Sequence, residues 1–226
     1  MITQASAQRH IEGQRPAPSP PAEPLGDLRF PALVPAHDWA ALPAPVRRRF
    51  TKRLVAGESQ LYGGQVTETR LTWAGWLIAQ AARLIGAPLP LAAGGRAAAS
   101  VAVTEDPALQ GQIWTRIYQR PGRFAQVIHS VKRFAGPTGL EEYVGRGVGM
   151  ALTLHVAAGA LLFRSAGFYL QLGRRRVALP RALMPLDLAV THREESGGHF
   201  SFTLQLTHRR FGELIYQRAL FREMAP

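Results

Sequence analysis

The chain has 226 residues, 46% hydrophobic and 19% charged, so it can bury a core and fill one domain of ordinary size, and wholesale disorder is excluded. Cysteine is absent, which removes disulfides, thiolate nucleophiles and cysteine metal ligands. The formal charge of +12 points toward an anionic partner, but nearly all of it is arginine in an alanine-rich chain, with Lys52 and Lys132 the only lysines, and biased codon usage produces such a balance by itself.

Residues 1 to about 27 carry Pro16, Pro18, Pro20, Pro21 and Pro24 among Ala, Ser and Gln, and are expected to form a disordered tail. The first residues lack the apolar core of a secretory signal, so a cytoplasmic location is expected. A single domain is expected over 28–226. It opens with short turns anchored by Phe30, Leu33, Trp39 and Leu42, with Asp38 capping the turn that carries Trp39. Pro43 to Phe50 reads as a short helix whose last turn holds Arg47, Arg48 and Arg49, a solvated end where cations suit the helix dipole.

Arg53 to Arg70 is weakly strand-like, interrupted by Gly57 and Gly63-Gly64. Thr72 to Ile85 is the main helix, with Thr72 as N-cap, Gly86 as its stop and Pro88 beyond. Trp73, Trp76, Leu77, Ala81 and Leu84 share one face, which is expected to be buried against a sheet. From Gly94-Gly95 onward strands follow at short intervals: 99–104, 112–119, 123–134, 140–145, 148–156, 160–164, 168–172, 186–193, 199–207 and 214–222. Phe168, Leu170 and Leu172 alternate with Tyr169 and Gln171. Gly173 and Arg174 to Arg176 mark an exposed turn, after which Val177 and Leu179 resume the apolar beat before Pro180. The run 147–163 lacks formal charge, but its apolar residues alternate with Gly, Ala and Thr, so it reads as a strand rather than a membrane span.

Short joints without intervening helices favour antiparallel pairing. The expected fold class is therefore α+β: a strongly curved antiparallel sheet of about seven to ten strands, wrapped on the Thr72 to Ile85 helix, with short N-terminal helices.

Chemistry-bearing motifs are sparse. The chain contains no Walker-type phosphate loop, no HExxH and no GxSxG. Gly145, Gly147 and Gly149 lead into a strand, not a helix, so a bend or close strand contact explains them better than a dinucleotide site. His129, His155 and His192 lie on strands, and His155 is the most prominent because it sits in a largely uncharged one. Glu141-Glu142 and Glu194-Glu195 each place one carboxylate on either face of a strand, so neither pair is an acid/base dyad. Asp187 lies in an apolar segment and would need a partner such as Arg181 if buried. Trp114, Arg116 and Tyr118 alternate on one strand face, but no RNP-like motif surrounds them; a solvated or core-edge face is the better reading, and nucleic acid is not an expected partner.

The order of several short motifs resembles the bacterial family known as domain of unknown function 4166. They are Trp39 with Leu42-Pro43 and Arg47, Leu84-Ile85-Gly86 before Pro88, Trp114-Thr115-Arg116, and Arg133-Phe134. Leu179-Pro180 with Leu183 and Pro185, Gly198 to Phe202, and Gly212 with Leu214 to Arg218 complete the set. The resemblance covers about Leu28 to Arg222, with Ala219 where the family pattern suggests glycine. It implies no established activity. It does imply a link with oxidoreductases, since family members often follow a saccharopine-dehydrogenase-like or epimerase-like domain.

The sequence thus favours a non-catalytic domain holding an apolar or amphiphilic small molecule between helix and sheet, without cofactor or metal. Its candidate ligand-binding residues are Trp73, Trp76, His155, Tyr169 and Asp187. Arg174, Arg175, Arg176 and Arg181 are the candidates for contact with an anion or an anionic membrane surface. The alternatives are a peripheral membrane or partner-docking module, and an accessory to a separately encoded oxidoreductase or epimerase.

Overall fold

The computed structural model describes residues 26–55, 57–84, 86, 89, 96–144, 147–173, 175–182, 184 and 186–224. After a 3-10 turn at Pro31–Leu33 come two short helices, α1 (Ala36–Ala41) and α2 (Ala44–Thr51), then strand β1 (Ser59–Leu71) and helix α3 (Trp73–Leu84). The chain continues through β2 (Ala98–Asp106), β3 (Gly111–Arg120), β4 (Arg123–Arg133), β5 (Glu141–Val144), β6 (Val148–Ala157) and β7 (Ala160–Leu172). It finishes with β8 (Arg175–Leu179), β9 (Leu186–Glu194), β10 (Phe200–His208) and β11 (Gly212–Glu223).

Neighbouring strands run antiparallel, as the short joints predict, but the sheet is not an open layer wrapped on a helix. β1 pairs with both β2 and β11, and β6 pairs with β7, so β1 to β7 and β9 to β11 close into a ten-stranded barrel. Closure corrects the expected α+β class. A closed sheet satisfies its own edges and turns its apolar face upon itself, so no helix is required to cover it.

The joint that permits closure is β7. Residues predicted as two strands, 160–164 and 168–172, form one of 13 residues. Its first part pairs with β9, Ala160 opposite Arg193, while its last part pairs with β8, Leu172 opposite Arg175. β8 is thus a short edge strand outside the ring, and the exposed Arg175 on it discourages further strand addition. The uncharged run 147–163 supplies β6 and the start of β7. Among the described residues no helix is long and apolar enough to cross a membrane.

One end of the barrel is sealed by the N-terminal segment. Phe30 meets Phe50, Phe134 and Phe163 edge-on, with ring centroids at 5.2, 4.8 and 6.2 Å, and Leu42 and Val46 are buried beside them. Arg49 is not at a solvated helix end. Its guanidinium donates to Glu194 at 2.6 Å and lies 4.1 Å from the centre of the Phe200 ring, which clamps α2 to β9 and β10. Asp38 does not cap the turn before Trp39: Pro35 occupies the N-cap, and Asp38 lies within the first turn of α1.

α3 stands at the other end, and the face it buries is not the predicted one. Ala74, Gly75 and Ala79 are buried, whereas Trp73, Trp76, Leu77 and Leu84 are 50 to 84% exposed. The reason is close approach to backbone. A Cβ on Gly75 would fall 2.1 Å from the Leu214 carbonyl oxygen, so only a small-residue face fits there. Thr72 caps the helix as predicted, its hydroxyl accepting from the Gly75 amide at 3.0 Å, and its own amide donates to the Leu214 carbonyl at 3.0 Å.

Candidate functional site

Side chains of a barrel point alternately inward and outward, and an eight-stranded ring is about the size that its own side chains fill. With ten strands the interior keeps a cavity of about 120 Å³. Its walls are apolar: Val101 and Ile128 on one side, Met150, Leu152 and Phe163 on another, and Val190, Leu204 and Phe221 opposite them. Leu89, beyond α3, also lines the cavity, and its carbonyl accepts from the Gln126 side chain on β4 at 2.9 Å. Leu89 thus lies beside β4, whereas α3 itself packs on β11.

Four polar side chains interrupt these walls: Arg116, Lys132, Glu142 and Gln217. Register explains the first three. Lys132 on β4 lies directly opposite Glu142 on β5, and Arg116 on β3 lies opposite Ile128 on β4. The Lys132 ammonium is 2.9 Å from Glu142, the Arg116 guanidinium is 3.5 Å from it, and Arg116 also donates to the Ser130 hydroxyl at 2.9 Å.

Burial by itself would raise the Glu142 carboxyl. The positive charges of Lys132 and Arg116, with hydrogen bonds from Ser130 and Lys132, outweigh burial and bring it down to about 2. Lys132 is lowered as well: burial, with repulsion from Arg116, outweighs the attraction of Glu142. The ammonium also lies 4.9 Å from the centre of the Trp114 ring. With all three groups ionised the cluster carries two cations and one anion. Gln217, only 3% exposed, has a side-chain nitrogen with no hydrogen-bond partner among the described residues.

A second, smaller cavity of about 30 Å³ lies toward the sealed end, between Phe50, Tyr62, Trp114, His192 and Phe200. His192 is fully buried, stacked on Phe200 at 5.0 Å and edge-on to Phe50 at 5.1 Å. Neither of its ring nitrogens has a partner among the described residues. Burial, reinforced by the nearby Arg49 charge, lowers its pKa to about 3 and keeps the imidazole neutral.

A family model, Domain of unknown function (DUF4166), matches residues 42–221. The chain belongs to this family. No curated protein and no solved structure matches it. In this DUF4166 chain the matched span covers ten of the eleven strands from end to end, together with most of β11, and so contains the whole cavity wall.

The residues proposed from sequence for a ligand do not converge. Trp73 and Trp76 project outward from α3. His155 is exposed and 3.0 Å from the Thr153 hydroxyl; among the described residues the buried histidine is His192. Tyr169 is buried but outside the cavity lining, edge-on to Tyr143 at 5.6 Å and under the Arg176 guanidinium at 4.1 Å. Asp187 is exposed and needs no buried partner.

Of the basic candidates, Arg175 and Arg181 are exposed, Arg176 is held by Glu141 at 2.7 Å, and Arg174 lies outside the described residues. Glu141 and Glu142 do point to opposite faces, one to Arg176 and the other into the barrel. Gly149 is a close strand contact, since a Cβ there would meet the Tyr169 ring at 2.3 Å.

The alternation of Trp114, Arg116 and Tyr118 in the sequence points to a solvated or core-edge face; instead all three line the cavity. Lys132 offered a second signal, as one of two lysines in the chain and in phase with Ile128 and Ser130. Gln217 offered none.

Proposed function

We propose that the barrel binds a small amphiphilic organic anion, its hydrocarbon body against the apolar walls and its acidic head toward Arg116, Lys132 and the Gln217 amide. The observation that carries this reading is two basic side chains, Arg116 and Lys132, sharing the single carboxylate of Glu142 in an otherwise apolar cavity. A buried charge without a counter-charge is costly, and an anionic head would supply the missing one. The unpartnered Gln217 nitrogen would gain an acceptor from the same head. Each methylene taken from water into the walls would add about 0.8 kcal/mol. The interior of the barrel, not the space between helix and sheet, is the binding volume in this reading.

The test is a titration of the purified protein with a polyene fatty acid and with its methyl ester, followed by quenching of tryptophan emission, since Trp114 lines the cavity. The acid is expected to bind in a one-to-one complex, and Arg116→Gln to weaken it about tenfold, the loss of one charged hydrogen bond, without changing the ester. Equal binding of acid and ester, or the same affinity in Arg116→Gln, would sink the proposal.

A further inference from the structure

The two ends of the barrel differ in how their charges are paired. At the end sealed by α1 and α2, Asp27 and Glu105 are held by Arg29, and Glu194 and Glu223 by Arg49. Up-and-down connection puts α3, the β3–β4 and β10–β11 turns and the end of β7 at the other end. There Arg96, Arg123, Arg175, Arg209 and Arg210 are exposed and none forms a salt bridge among the described residues; they outnumber the carboxylates of that end, the exposed Asp187 and a Glu213 already held by Arg70.

The same end carries exposed aromatic surface. Phe124, where β4 begins, is 97% exposed. Trp73 and Phe211 are exposed and in ring contact at 6.5 Å, which joins α3 to the β10–β11 turn in one patch with Trp76. Tryptophan and phenylalanine ringed by arginine suit the headgroup layer of a bilayer: the rings have an apolar body to insert, and the guanidinium groups meet anionic phosphates. Charge decides the occupant, because an uncharged or cationic surface would gain nothing from unpaired arginines.

We infer that the α3 end of the barrel docks on an anionic phospholipid membrane, with Trp73, Trp76, Phe124 and Phe211 at headgroup depth. Leu89 and the cavity end it lines then face the bilayer. That the bilayer is the source of the cavity's amphiphile rests on the binding function proposed above; the docking itself does not.

Vesicle flotation tests it, using the whole chain with phosphatidylcholine vesicles and with vesicles containing about one third phosphatidylglycerol. The protein should float with the anionic vesicles at low salt, and much less at about 0.5 M salt or with phosphatidylcholine alone. Arg209→Glu with Arg210→Glu should lower partitioning at least about tenfold. Trp73→Ser with Phe211→Ser should release the protein without changing its far-ultraviolet dichroism.

Absence of flotation, or flotation indifferent to lipid charge and salt, overturns the inference. So does a concentration-dependent dimer abolished by Trp73→Ser with Phe211→Ser, which assigns the patch to a second copy. The two proposals fail separately: Arg116→Gln should still float, and a protein that binds the fatty acid but never floats keeps its cavity function and loses its membrane.

Discussion

Lys132 and Glu142 face each other across the β4–β5 pair, ammonium to carboxylate at 2.9 Å, both side chains less than one-tenth exposed. They sit inside the barrel, where each charge depends on the other, so removing one should cost more than removing both. Lys132→Met is expected to lower unfolding free energy by about 3 kcal/mol, and adding Glu142→Leu to restore most of that loss. Urea denaturation of the three proteins checks it. A double variant as unstable as the sum of the single losses would refute the coupling.

His192 links stability to acidity. Its folded-state pKa is lowered to about 3, and in the unfolded chain it returns to about 6.5. Above that value neither state binds the proton; below it only the unfolded chain does, so stability falls as pH falls, by about 1.4 kcal/mol per unit until the folded pKa is reached. Between pH 7 and pH 5 the native protein should lose about 2 kcal/mol from this source. His192→Leu should lack that loss. Identical pH profiles for the two proteins would show that the buried imidazole does not carry the effect.

Gly75 sets how closely α3 lies on the barrel end. A methyl group there would meet the Leu214 carbonyl oxygen, which belongs to backbone and cannot rotate away. Gly75→Ala is expected to cost about 1 to 3 kcal/mol despite the better helix propensity of alanine, because overpacking against backbone outweighs it. Lifting α3 should also speed exchange of a bound fluorescent fatty acid. Thermal midpoints and stopped-flow release rates measure the two effects, and an unchanged or raised midpoint would contradict the packing described.

Most strands, the main helix and its cap, and antiparallel pairing were legible from local pattern, but the continuity of β7 through 165–167 and the entry of Arg175 and Arg176 into β8 were not. The alternation of Phe200, Phe202 and Leu204 with Ser201 and Thr203, or the Thr72 hydroxyl ahead of the helix, are signals carried by a few adjacent residues. The burial of α3 was misread because its bulky residues share a face while its contact surface is the small one. Hydrophobicity ranks Trp73 and Trp76 as core, but the approach of Gly75 to a carbonyl depends on a strand that follows some 140 residues later, at Leu214.

The sequence by itself determined that this chain is a run of antiparallel strands with two-faced alternation, and that it resembles a family that the model match establishes over residues 42–221. Only the tertiary structure decided that β1 meets β11 and β6 meets β7, since which strands become neighbours is a matter of closure and not of local preference. That closure turned Trp114, Arg116, Lys132 and Glu142 from surface candidates, or from residues passed over, into the lining of one cavity. Inside and outside of a barrel share the same two-residue period, so no periodicity in the chain distinguishes them.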